Sequence, residues 1–143
     1  HLIQYQSFLP FETALAAWSE MLHLSHRRSL PSYLGVTKRH RPDGFLLSHA
    51  VDGFSLALDF KVTPSNRLAL AQLLQDFDRI VLEAGGRFYF AKNSETRPAA
   101  LHRFLGEDTL ARFRTLKERC DPHGLLESDL YRRLFKPPAG SVS

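Results

Sequence analysis

The segment GFSLALDFKV, Gly53–Val62, constrains the fold of this chain more than any other. Large apolar residues fall at Phe54, Leu56, Leu58 and Phe60, and Ser55, Ala57, Asp59 and Lys61 fall between them. A repeat of two sends alternate side chains to opposite faces of a strand, so this segment predicts a β-strand with one buried face and one face spared from the core. The period then changes. TPSN at 63–66 has helix-start chemistry, with Thr63 as the expected N-cap and Pro64 at the first helical position. Leu70, Leu73, Leu74, Phe77, Ile80, Val81 and Ala84 share one face of the helix that follows. Gly85 or Gly86 ends it, and Arg87–Ala91 predicts another strand.

The first third of the chain has the same pattern. Leu2–Leu9 alternates, with Gln4 and Gln6 on one side and Ile3, Tyr5 and Leu9 on the other; Ser7 interrupts the second set. Pro10 suits the opening turn of a helix, because its missing N–H has no partner to lose there. That helix places Phe11, Ala14, Leu15, Trp18, Met21 and Leu22 along one stripe, and Pro31 closes the pattern. Ser32–Arg39 reads as a strand and RPDG, 41–44, as a turn. The resulting order, β-α-β-β-α-β, predicts an α+β, ferredoxin-like fold: an antiparallel sheet with helices on one face. Two shorter helices are expected in RPAALHRFL and EDTLARFRTLKERC. One domain is expected over 1–135, followed by a flexible tail over 136–143.

Bulk properties narrow the function classes. A chain of 143 residues, 43% hydrophobic and 24% charged, buries a real core and is not a disordered segment. Its net charge of +4 leans toward anionic partners. Cys120 is its one cysteine, which excludes an internal disulfide and a thiolate metal cluster and is compatible with a reducing compartment. No apolar run approaches the roughly 20 residues that span a bilayer, so no transmembrane segment is expected.

The face without helices is the candidate site. It carries Ser55, Ala57, Asp59 and Lys61, with Gln4, Gln6 and Lys38 on neighbouring strands. Small polar residues at the centre of a sheet make either a wet surface or the floor of a ligand site. An RNA-binding sheet stacks bases on aromatics of its third strand, whereas here the aromatic GRFYF falls on the fourth, and Asp59 repels phosphate. Nucleic acid is therefore disfavoured. His23 and His26 share a helix face but lack a third ligand, so no metal is expected. The chain has no G-x-S-x-G, P-loop or G-x-G-x-x-G pattern.

Five motifs, taken together, carry a family likeness: YQSFLP (5–10), LGVTKRH (34–40), GFSLALDF (53–60), LEAGGRFYFAKNS (82–94) and DPHGLLESDLYRRL (121–134). In this order and spacing they resemble the C-terminal, substrate-side domain of FAD-linked oxidoreductases of the vanillyl-alcohol-oxidase type. The nearest branch is that of decaprenylphosphoryl-β-D-ribose oxidase. The resemblance implies FAD as cofactor and hydride transfer from a CH–OH group of a sugar or related alcohol. It also implies an N-terminal FAD-binding domain of the same protein as partner. A chain that opens at His1 already in a strand is then expected to be a fragment, inactive alone.

The matched positions imply roles. Gln6, Lys38 and Ser55 would bind substrate; Tyr89, Lys92 and Gln6 would contact the cofactor; Lys92 and Lys38 would be catalytic, supplying positive charge or taking the alcohol proton. Ser55 and Ala57 depart from the asparagine and cysteine of that branch, which puts the sugar in doubt. The other reading is a stand-alone ferredoxin-like module binding RNA or a small regulatory ligand. The expected setting is cytoplasmic, with peripheral membrane association left open.

Overall fold

Strand β1 (Leu2–Pro10) runs antiparallel to β3 (Gly53–Lys61) along its whole length, from Leu2 opposite Lys61 to Pro10 opposite Gly53. The structure is a computed structural model and describes residues 1–92 and 97–136. The expected tail, from Pro137 onward, lies outside the described residues. The chain divides into two compact units, His1–Thr96 and Arg97–Ser143.

In the first unit, α1 (Phe11–Arg27) and α2 (Arg67–Glu83) complete the β-α-β-β-α-β order with β2 (Leu34–His40) and β4 (Arg87–Phe88). The sheet is antiparallel, in the order β2-β3-β1-β4. The alternation read from the sequence decides which face is covered. Tyr5 and Leu9 of β1 and Leu56, Leu58 and Phe60 of β3 are buried, as are Leu70, Leu73, Leu74, Phe77, Ile80 and Val81 of α2. Tyr5 adds a polar anchor, its hydroxyl donating to Asp78 Oδ1 at 3.0 Å; burial first, and Asp78 second, push its pKa well above the usual phenol value.

Helix α1 turns inward a stripe that keeps Ala14 and Met21 of the expected one and is otherwise displaced. Ala14, Ala17, Met21 and Ser25 are buried, whereas Phe11, Leu15 and Leu22 are exposed. Two alanines let the helix backbone approach closely, and Trp18 reaches past them to donate from Nε1 to the buried Ser7 hydroxyl at 3.1 Å.

The start of α2 also differs. Thr63 does not cap it; 64–66 form a turn and the helix begins at Arg67. Thr63 N–H donates to Asn66 Oδ1 (2.8 Å) and Asn66 N–H donates to Thr63 Oγ1 (3.2 Å), a reciprocal pair that closes the turn instead. The helix stop behaves as read. Gly85 has φ +73°, Gly85 N–H bonds Leu82 C=O and Gly86 N–H bonds Val81 C=O, which is the Schellman pairing.

The second unit holds α3 (Pro98–Leu105), α4 (Glu107–Cys120) and α5 (Asp129–Leu134). The last lies within DPHGLLESDLYRRL and was not expected; Ser128 caps it by accepting from Tyr131 N–H at 3.1 Å. Leu101, Leu110 and Leu134 are buried, and the Phe113 ring sits 4.8 Å from that of Phe135. Asp121 gathers the α4–α5 connection, accepting from Leu125 N–H and Leu126 N–H at 2.8 Å each and pairing with Lys117.

Candidate active-site face

Residues directly opposed in a ladder share a face, so the register assembles the helix-free side row by row. Gln4, Asp59 and Leu34 form one row, Gln6, Ala57 and Val36 the next, and Phe8, Ser55 and Lys38 the third; His40 stands opposite Gly53 beyond them. These rows floor a hollow of about 390 Å³, within the usual size range of ligand sites. Gln4, Gln6, Phe8 and Ala57 line it from the central strands, Val36, Lys38 and His40 from β2, and His49, Tyr89 and Lys92 from loops.

Four of the expected site residues, Gln6, Lys38, Tyr89 and Lys92, thus border one space. Ser55 lies beneath it. It is fully buried, its Oγ 2.8 Å from His40 Nε2 and 3.4 Å from Gln6 Nε2. Any contact it makes with a bound molecule therefore runs through those two side chains. The fourth strand is shorter than expected, because β4 ends at Phe88. One further bond, Tyr89 N–H to Gln6 C=O at 3.2 Å, ties the next residue to β1. A turn follows, closed by Lys92 N–H to Tyr89 C=O at 3.0 Å, so Lys92 is carried by a turn and not by a strand tip.

Four residues of the site, Phe8, Val36, His40 and His49, escaped the sequence reading. Phe8 extends the Gln4–Gln6 alternation and is 1% exposed despite facing away from the helices. Its ring is covered by His40 at 4.8 Å, His49 at 4.5 Å and Tyr89 at 6.4 Å between centroids. His40 was detectable, since it follows Lys38 by two and so shares its face. His49 was not, because it comes from the aperiodic connection between β2 and β3. That loop is fastened by Arg87 Nη1 donating to Ser48 C=O at 3.1 Å and by an Asp43 turn to Phe45 N–H at 3.0 Å.

The electrostatics are lopsided. Lys38 and Lys92 are exposed cations at the rim. Asp59, the carboxylate on this face, is engaged by Gln4 Nε2 at 2.6 Å. Burial lowers the pKa of His40, and His49, Lys38 and Arg39 add to the effect. Burial also lowers that of His49, helped by Arg87 and opposed by Asp43. The hollow therefore combines two lysine side chains at its edge with two imidazoles of lowered pKa over an aromatic floor.

No family model matches the chain. It is 30% identical over 133 residues to decaprenylphosphoryl-β-D-ribose oxidase of Mycolicibacterium smegmatis, covering 92% of this chain and 27% of that protein. The chain resembles a segment of this oxidase. It is also 36% identical over 88 residues, 62% of this chain, to a Streptomyces coelicolor protein described as an "Uncharacterized protein in mprA 5'region", of which it covers 23%. The chain thus spans about a quarter of the length of the curated relatives it matches. The M. smegmatis relative is an oxidase by name, and the family likeness read from the sequence carries FAD as the expected cofactor. Among the described residues, no helix is long and apolar enough to cross a membrane.

The donor set fits one end of that cofactor. Val36 and Ala57 present apolar surface to a flat ring system, while Gln4, Gln6 and the two lysines offer donors to its carbonyl edge. The pyrophosphate has no counterpart here, since the chain carries no glycine-rich phosphate loop.

Proposed function

We propose that this chain is the substrate-binding half, residues 1–135, of an FAD-dependent oxidoreductase that acts on a CH–OH group of a sugar or related alcohol. The supporting observation is that Gln6, Lys38, Tyr89 and Lys92 border a single hollow on the helix-free sheet face of a chain similar to an FAD-linked oxidase. The remaining partner is an FAD-binding domain of the same protein, covering the hollow.

When bound, FAD supplies the hydride acceptor. The chain's own residues do the rest. Gln6 donates to a substrate hydroxyl or to the cofactor edge, and Tyr89 packs against the ring system. One of the two rim lysines, Lys38 or Lys92, would supply positive charge to the acceptor that gains negative charge as hydride leaves the carbinol carbon; such charge stabilises a transition state most when water is excluded. The alcohol must also lose its hydroxyl proton, and the other lysine, as the neutral amine, would take it. Ser55, being buried, orients Gln6 and does not touch the substrate.

The test uses the complete polypeptide that contains this chain. Purified protein is inspected for a flavin absorbance band and then mixed anaerobically with sugar alcohols and sugar derivatives. Bleaching of the band by one of them is the expected result. Lys92→Ala is expected to slow bleaching about 100-fold, the size of a typical charge or proton-transfer contribution, with the circular dichroism spectrum unchanged. Full-rate bleaching in that variant removes Lys92 from the chemistry, and a protein that binds no flavin overturns the reading altogether.

A further inference from the structure

The hollow contains a polar chain, Gln6–Ser55–His40, whose last member has no role in the proposed reaction. Ser55 Oγ accepts from the Gln6 amide, because an amide nitrogen only donates. The serine hydrogen then needs an acceptor of its own, and a buried hydroxyl hydrogen without one is costly. Among the described residues the acceptor in reach is His40 Nε2, 2.8 Å away. It accepts only if it carries no proton. All three groups are satisfied together when the imidazole is neutral and its hydrogen sits on Nδ1.

The ring is fixed in place as well as in tautomer. It packs edge-on against Phe8, with an interplanar angle of 67°, and Phe8 is itself buried. His40 lines the hollow, and among the described residues its Nδ1 has no hydrogen-bond partner. Burial, and Lys38 on the same strand face, oppose a positive charge there, in line with the lowered pKa.

We infer that His40 is a substrate-binding residue: Ser55 holds it as the neutral Nδ1–H tautomer, and that N–H donates to a hydroxyl or carbonyl oxygen of the compound that occupies the hollow. The inference rests on reading the hollow as a substrate chamber and adds a neutral donor to its charged rim. A neutral imidazole binds the alcohol and the carbonyl product alike and contributes to positioning, whereas the lysines contribute charge and proton transfer.

The first arm needs no substrate. In the 143-residue chain labelled with ¹⁵N-histidine, two-bond nitrogen–proton correlation spectra at neutral pH should show His40 as the Nδ1–H form. Ser55→Ala should shift the tautomer ratio about fivefold toward Nε2–H, the effect of one lost neutral hydrogen bond. A dominant Nε2–H form in the unaltered chain overturns the inference, as does a ratio that Ser55→Ala leaves unmoved. The second arm uses the complete flavoprotein and the alcohol that bleaches it. His40→Phe should raise KM about fivefold or more with kcat changed less, and His40→Gln, which keeps an N–H donor, should recover part of the loss. An unchanged KM in His40→Phe overturns substrate donation. If the unaltered protein reduces no flavin, the oxidoreductase reading falls, and the tautomer arm still decides the hold of Ser55 on His40.

Discussion

Phe8→Ala tests the packing of the site more sharply than any substitution at its rim. The ring is 1% exposed and lies on the sheet face away from the helices, so it belongs to the floor of the hollow and not to the main core. A buried aromatic removes about 150–250 Å² from water, worth about 4–6 kcal/mol gross. Measured Phe→Ala losses run at about 3–5 kcal/mol, depending on how far the surroundings collapse. Here His40, His49 and Tyr89 cover the ring from loops and a strand end, and such groups settle inward more readily than strands do. The expected loss is therefore about 3 kcal/mol, a large part of the 5–15 kcal/mol typical of a domain. Urea denaturation followed by tryptophan emission should show the midpoint falling by more than about 1 M. Phe8→Leu, which keeps most of the volume, should lose about 1–1.5 kcal/mol. A loss below about 1 kcal/mol for Phe8→Ala, with an unchanged urea slope, would refute the packing argument, and with it the fixed placement of both imidazoles.

Three further outcomes are expected. Ser7→Ala leaves the Trp18 indole N–H without its acceptor and should cost about 1–2 kcal/mol in urea denaturation, with an altered emission maximum. Gly86→Ala puts a Cβ 2.6 Å from Leu9 Cδ2 and 2.8 Å from Phe8 C=O and should cost about 1–3 kcal/mol in thermal melts; Gly44→Ala, with nothing within 4 Å, should fall within about 0.5 kcal/mol of the unaltered chain. The Lys117 ammonium, and then the Leu126 and Leu125 N–H groups, hold the Asp121 carboxyl at about 2 against an ordinary 3.8. Between those values the unfolded chain binds more protons than the folded one. The stability this group contributes is thus complete above about pH 4 and lost as pH falls toward 2, and melting curves of Asp121→Asn should lack that part of the acid dependence.

Period-two alternation made the sheet legible. Leu56, Leu58 and Phe60 against Ser55, Ala57 and Asp59 left one assignment of faces, and β3 follows it. The α2 stripe was legible for the same reason, its six buried residues being large and regularly spaced. Helix α1 was harder to read because its inward side is made of alanines and a serine, residues that carry little hydrophobic signal, while Phe11, Leu15 and Leu22 remain outside. At the site, Lys38 and Gln6 were readable from strand period and family likeness together. Phe8 was passed over because an apolar residue on a polar face looks like noise in a one-dimensional pattern. Loop geometry brings in His49, and no periodicity encodes that.

The chain has a single tryptophan, Trp18, clamped between α1 and the sheet. Its fluorescence reports on the unit that contains it, His1–Thr96, while far-ultraviolet ellipticity also registers the three helices that follow. Two unlabelled spectroscopic signals thus watch different stretches of one polypeptide. Superimposed denaturation curves would mean that both stretches melt as a single thermodynamic unit, and separated curves would give the free energy of each.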